Sequence, residues 1–341
     1  MTVAAPFAVA ELDEAREPAE ERGRGRDDVR LLVARSGAEL EHAHFTQLPE
    51  LLDPGDLLVI NTSATLPAAV AVRGGEGDLT LNLSSPARDG EPNRWLAELR
   101  RGGERHRGGR AGEVLLLPEG ATAVLLEQDA HERLWLVSLS VPGAVPAYLT
   151  RHGRPIRYGH VERDWPLERY RTVYATEPGS AEMPSAGRAF TPELVTSLIA
   201  RGVDLAPLVL HTGVSSLEIG EAPQPERFRI PRATAARVNL ARELDRRVIA
   251  VGTTVVRALE SSVAADGRVR AKEGWADLVI EPDTPLHALD GLLSGFHDRD
   301  SSHLAMLEAI AGRDLLERSY DEARDAGYLR HEFGDLHLLL P

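Results

Sequence analysis

The chain has 341 residues, no cysteine, and 53 acidic against 39 basic residues, for a formal net charge of −14. The absence of cysteine excludes disulfides, thiolate metal ligands and cysteine nucleophiles, and an acidic chain does not hold nucleic acid by bulk charge. Residues 1–10 lack the basic and apolar segments of a signal peptide, and no window reaches the roughly 18 apolar residues of a membrane span, so no membrane partner and a cytoplasmic location are expected.

Residues 10–28, rich in Glu, Arg and Pro without a period, read as an irregular lead-in. Strands are predicted at 29–34 and, more weakly, at 39–45. One helical turn at 48–52 ends at Pro54-Gly55, and an apolar strand follows at 57–60 with the polar Asn61-Thr62-Ser63 after it. From residue 67 the pattern changes to short β-like segments at 67–72, 78–83, 94–99, 113–117, 121–126 and 133–139, separated by Gly, Pro, Asp and Asn. This spacing predicts a small all-β, barrel-like domain over 67–141, inserted into a discontinuous α/β domain of 1–66 and 142–341. In the second part Thr191-Pro192-Glu193 starts a helix that Gly202 stops. Strands at 203–210, 248–251 and 278–280 then alternate with helices at 233–244 and 254–263, and helices at 303–311 and 314–326 complete the chain. The fold class expected is α/β, a layered domain with a largely parallel sheet interrupted by the β domain.

The most informative stretch is 247–261. Val248–Val251 is an unbroken apolar run, Gly252 breaks it, and Thr253 and Thr254 precede apolar residues at helical spacing. A strand, glycine turn and helix N-terminus present free N–H groups and a positive dipole end, which suit a carboxylate or phosphate; equally, such turns often do no more than cap a helix. Arg257 either adds charge to that site or pairs with Glu260 one turn on. His211, at a strand end, and His297, in a loop after Asp290-Gly291, are acid–base candidates, because histidine titrates near neutrality; each also reads as a hydrogen-bonded structural residue. Asp290, before Gly291, is either a turn residue or a carboxylate of the site. The arginine-dense stretch 100–110, with Arg101, Arg105 and Arg107, is either a solvated hairpin or a local nucleic-acid patch. His297, Asp298, Asp300 and His303 have metal-ligand chemistry, but polar loops of this kind are ordinarily solvated, and no metal is expected.

Seven segments in order resemble one family, the S-adenosylmethionine:tRNA ribosyltransferase-isomerases of queuosine biosynthesis. They are PGDLLVIN (54–61), YRTVYA (170–175), PSAGRAFT (184–191), LHTG (210–213), RVIAVGTTVVRALES (247–261), DGLLSGFH (290–297) and FGD (333–335). The resemblance implies an α/β fold carrying a small β-barrel. It also implies transfer and isomerisation of the ribosyl moiety of S-adenosylmethionine onto a 7-aminomethyl-7-deazaguanine base in tRNA, giving epoxyqueuosine with release of adenine and methionine. On this reading His211, Asp290, His297 and Glu260 are catalytic candidates. Tyr174, Ser185, Gly187, Gly252, Thr253, Thr254 and Arg257 hold S-adenosylmethionine, with Tyr174 stacking on a base, and Arg101, Arg105 and Arg107 meet tRNA. The chain departs from the family pattern at Ala64, where Arg or Lys is usual, and at Ala189, where His is usual. Other departures fall at 214–217, 221–232 and 298–301. A paralogue with a small-molecule acceptor, or a non-catalytic nucleoside- or RNA-binding module, are the alternatives these departures leave open.

Overall fold

The computed structural model describes residues 9–74, 78–129, 132–161, 163–214, 223–298 and 301–340. Four parallel strands, Asp204–Leu210, Leu57–Asn61, Val248–Val251 and Gly291–Gly295, form the centre of a nine-stranded sheet. Their apolar runs are explained by burial on both faces. Side chains alternate along a strand, so Leu57, Val59, Val248 and Ala250 enter one core while Leu58, Ile60, Ile249 and Val251 enter the other. Helices Arg232–Glu243, Thr253–Glu260 and Arg313–Asp325 cover the first face, and helix Pro192–Ala200 covers the second.

The sheet is mixed, not largely parallel. Glu226–Ile230 and Lys272–Ala276 extend one side antiparallel. On the other side Leu336–Leu340 is antiparallel to Gly291–Gly295 and parallel to Arg30–Arg35, and Glu41–His44 closes the edge. The flank strands ERFRI and KEGWA carry charge and glycine, so they lack the apolar run that marks the centre. Residues 278–280 do not form the expected strand: Ile280 packs into the core, and Leu278 offers its carbonyl to Arg257.

The helix at Thr191 begins as its residues dictate. Thr191 Oγ1 accepts from Leu194 N at 3.1 Å, and Pro192 occupies the first turn. It ends in a Schellman arrangement, with Gly202 at φ +85°, Gly202 N donating to Ile199 O and Val203 N to Leu198 O.

Between the two parts of the sheet, Ala69–Ala71, Leu79–Pro86, Arg94–Arg101, Leu134–Ser140, Thr122–Gln128 and Val114–Leu116 pair antiparallel in that spatial order. A bridge between Arg73, just past the first strand, and Leu116 in the last draws the two together, so the sheet curls into a half-barrel around its own apolar core. That core also takes in Val145, Tyr148, Leu149 and Ile156, beyond the expected limit at residue 141. The outgoing and returning chain segments touch: a Cβ on Gly153 would stand 1.8 Å from Pro67 O. Two further ties join the barrel to the sheet, Val214 N donating to Ser84 Oγ at 3.0 Å and Arg88 pairing with Asp277 while lying over Trp275.

His337 is fully buried in Leu336–Leu340, its ring stacked on Phe296 at 5.1 Å, and among the described residues neither ring nitrogen has a hydrogen-bond partner. Burial holds its pKa down, to about 3. The unfolded chain therefore takes up a proton below the ordinary histidine value of 6.5 that the native state refuses, and stability falls as pH drops from 6.5 towards 3. We expect His337→Leu to remove a component of up to about 1.4 kcal/mol per pH unit from that slope. Urea unfolding at several pH values measures it, and an unchanged slope would show that His337 is not the acid-labile group.

Candidate active site

A cleft of about 690 Å³ opens beyond the C-terminal ends of the parallel strands, where open α/β sheets receive ligands. Its floor is the turn from strand Val248–Val251 into helix Thr253–Glu260. Gly252 holds φ +94°, and a Cβ there would stand 3.4 Å from the Ala186 side chain, so two loops approach closely at this point. Thr253 and Thr254 lie in the first turn, where N–H groups have no intrahelical acceptor and the helix dipole is positive. Thr254 Oγ1 is 3.4 Å from the amide nitrogen of Asn61. That amide also donates to Leu210 O at 2.8 Å, and its oxygen accepts from Ser63 N and Leu210 N. One buried side chain thus fixes the ends of two strands and the start of the helix.

Ser185 lines the cleft from a short 3₁₀ turn, Ser185–Gly187. Ser294, on the strand beside the turn, and His297, in the segment just after it, also line the cleft, with Ser294 Oγ 2.9 Å from His297 Nε2. His297 N donates to the Tyr320 hydroxyl oxygen at 3.0 Å. Removal from water, then the neighbouring His303, His331 and His337, hold His297 well below the ordinary histidine pKa, so it is a neutral imidazole at pH 7. Its ring centroid lies 4.6 Å from that of His303.

Several expected residues are placed elsewhere. Asp290 sits at the opposite, N-terminal edge of the sheet, accepting from Val248 N at 2.9 Å and facing Arg242. It is separated from the turn by the length of the Val248–Val251 strand, roughly 13 Å at 3.3 Å per residue. Glu260 ends the helix and accepts from His287 N and Ala288 N, fixing that loop rather than meeting a ligand. His211 shares the correct sheet edge but does not line the cleft. It lies against Gly179, 2.8 Å from Ser63 Oγ, which is in turn 2.6 Å from Ser180 Oγ. Tyr174 packs edge-on against Phe190, and its hydroxyl fills the space where a Gly187 side chain would be, so neither residue reaches the cleft.

Arg257 does line the cleft, but not as a partner of Glu260. Its guanidinium pairs with Glu226 and donates to the carbonyls of Gln224, at 3.0 Å, and Ala276, at 2.8 Å. Glu226, whose pKa is raised by desolvation and held back by Arg257, also accepts from Gly213 N. No local pattern marks Glu226 in the sequence, because its partner is 31 residues away on another element. The pair joins the helix to the antiparallel flank.

The basic hairpin stands at the rim. Arg100 is buried, pairing with Glu98 and lying 4.8 Å over the Tyr158 ring, and Arg133 shares Glu98. Arg100 also donates to Gly103 O at 2.6 Å and so braces the turn that carries exposed Arg101. Arg105 is half-buried and Arg107 exposed. Of the residues weighed as metal ligands, Asp300 lies outside the described residues, and Asp298 pairs with Arg330.

A model of the family described as queuosine biosynthesis protein matches residues 5–339. The chain belongs to the queuosine biosynthesis protein family. The S-adenosylmethionine:tRNA ribosyltransferase-isomerase of Geobacter sulfurreducens is 37% identical over 322 residues, covering 91% of this chain and 92% of that protein. Its counterpart of the same name in Desulfitobacterium hafniense is 34% identical over 325 residues, covering 92% and 94%. The crystal structure of the S-adenosylmethionine tRNA ribosyltransferase of Thermotoga maritima superposes with a TM-score of 0.54 at 28% identity, covering 98% of this chain and 99% of that one. Among the described residues of this queuosine-family chain, no helix is long and apolar enough to cross a membrane.

The buried pair gives a direct test of how the cleft wall is held. Replacing Arg257 with Met leaves the Glu226 carboxylate desolvated without its cation, and we expect a loss of about 3–5 kcal/mol. Chemical denaturation measures it; a loss below about 1 kcal/mol, the range of a surface pair, would mean that Glu226 reaches solvent.

Proposed function

We propose that this chain transfers and isomerises the ribosyl moiety of S-adenosylmethionine onto a 7-aminomethyl-7-deazaguanine base in tRNA, giving epoxyqueuosine and releasing adenine and methionine. The observation that carries the reading is the Gly252–Thr254 turn opening into a large cleft with a neutral histidine beside it. The relatives aligned over nine-tenths of the chain support it through their names.

In this reading the Thr253 and Thr254 N–H groups receive the methionine carboxylate, and Ser185 and Gly252 border the nucleoside where the two loops meet. The chemistry needs a base to take a proton from the carbon beside the sulfonium. His297 fits, being neutral at pH 7 and oriented by Ser294 and Tyr320. Arg257 acts through Glu226, holding the wall of the cleft, instead of touching the carboxylate. Asp290, Glu260, His211 and Tyr174 have supporting roles in the frame.

With a net charge of −14, attraction for tRNA comes from short-range arginine contacts. Arg101, Arg105 and Arg107 are the residues proposed to make it, on a hairpin whose Arg100, Gly103 and Glu104 line the cleft. Replacing these three with alanine is expected to weaken tRNA binding and to flatten the log–log salt dependence by roughly 0.7–0.9 for each phosphate no longer neutralised. Affinity for S-adenosylmethionine should be unchanged. Incubation with S-adenosylmethionine and precursor-bearing tRNA should release adenine, and His297→Gln should lower the rate by about 10²–10⁴. Adenine release that ignores tRNA would point to a small-molecule acceptor, and no release at all would remove the enzyme reading.

A further inference from the structure

At the end of the cleft away from Arg257, three segments distant in sequence converge. Glu14 comes from the lead-in, His160 from the segment after the barrel, and His331 from the turn before the final strand. Each offers one ligand atom, and these atoms all lie within 4.8 Å of one another. The two imidazoles stack, 4.3 Å apart at their centroids and 12° from parallel. Glu332 Oε2 stands 2.8 Å from His160 Nε2, while His331 Nε2 lies 3.5 Å from Glu14 and 3.7 Å from Asp298.

Two features set this group apart from an ordinary surface cluster. First, His331 holds φ +72°, a left-handed conformation that costs a non-glycine residue about 1–2 kcal/mol; the turn bears that cost while aiming the ring at His160. Second, the charges do not balance. Glu14, Glu332 and Asp298 face one guanidinium, Arg330, which pairs with Glu14 and Asp298. Three carboxylates against one guanidinium leave the group acidic, which favours a bound cation.

We infer that Glu14, His160 and His331 bind a divalent first-row transition-metal ion. Two imidazoles and one carboxylate suit Zn²⁺, Co²⁺ or Fe²⁺, whereas Mg²⁺ and Ca²⁺ favour oxygen ligands throughout. Glu332 is placed to orient His160 in the way carboxylates commonly orient metal-bound imidazoles. All three ligands line the cleft, so the ion has its remaining positions open towards it. Bringing the ligand atoms to about 2.0–2.2 Å from an ion requires the two rings to turn out of their parallel stack so that their in-plane lone pairs converge, a side-chain movement that their partial exposure allows. The set is distinct from His297, Asp298, Asp300 and His303, and the inference goes beyond ribosyl transfer without depending on it.

The test is direct metal binding by the full-length chain. After dialysis against EDTA, titration calorimetry with Zn²⁺ and the visible absorption of added Co²⁺ should each report about one ion per chain, with Mg²⁺ giving no signal. His331→Ala and His160→Ala should each weaken Zn²⁺ binding by more than about 100-fold, and Glu332→Gln by about 10–100-fold. His44→Ala, an exposed histidine elsewhere, should bind as the parent does. If His331→Ala does not fold, Glu14→Gln preserves shape and removes the carboxylate ligand, and should show the same loss. No saturable Zn²⁺ uptake by the parent chain, or unaltered affinity in His160→Ala or Glu14→Gln, would overturn the site.

Discussion

The amide of Asn61 is the constraint on which the cleft depends. Its hydrogen bonds tie together the ends of two parallel strands and the first residues of the helix that follows the Gly252 turn. A side-chain amide both donates and accepts, so it can satisfy backbone groups where two strands stop pairing. An aspartate would lose the donor to Leu210 O, and a leucine would leave several buried polar groups unpaired. The position of the turn, and so the direction of its free N–H groups, rests on this residue together with the hydrogen bond from Gly252 N to Leu293 O.

Around that point the charged residues divide by burial. Glu226–Arg257 and Glu98–Arg100–Arg133 are inside, where they connect elements and leave little freedom. Arg101, beside the turn that the buried arginine braces, and Arg107, further along the chain, are outside. One arginine-dense stretch thus contains both a structural anchor and solvent-facing side chains, a difference of one residue along a strand whose side chains alternate.

The centre of the fold was legible in the chain because burial on both faces produces continuous apolar runs, and Thr191, Pro192 and Gly202 mark their helix by local chemistry alone. The antiparallel flanks were not, since strands such as KEGWA are fixed by their neighbours and not by their own composition. The candidate site divides in the same way. Gly252, Thr253, Thr254 and His297 follow from local pattern, and all line the cleft. Asp290 and Glu260 have suitable chemistry, but their carboxylates are committed to backbone N–H groups far from the turn. The meeting of Glu14 with His160 and His331 depends on tertiary contact among three distant segments, which no local spacing encodes.

The close approach of Gly153 to Pro67 has a mechanical consequence. The two chain crossings into the barrel touch, and with the Ser84–Val214 and Arg88–Asp277 ties they hold it at three places around its base. The arginine hairpin and the Gly252 turn therefore stand at a separation set by the frame, and the cleft acts as a gauge. On the proposed reading, a ligand seated at both ends must span that gap. A gauge already built costs less ordering on binding than one assembled around its ligand.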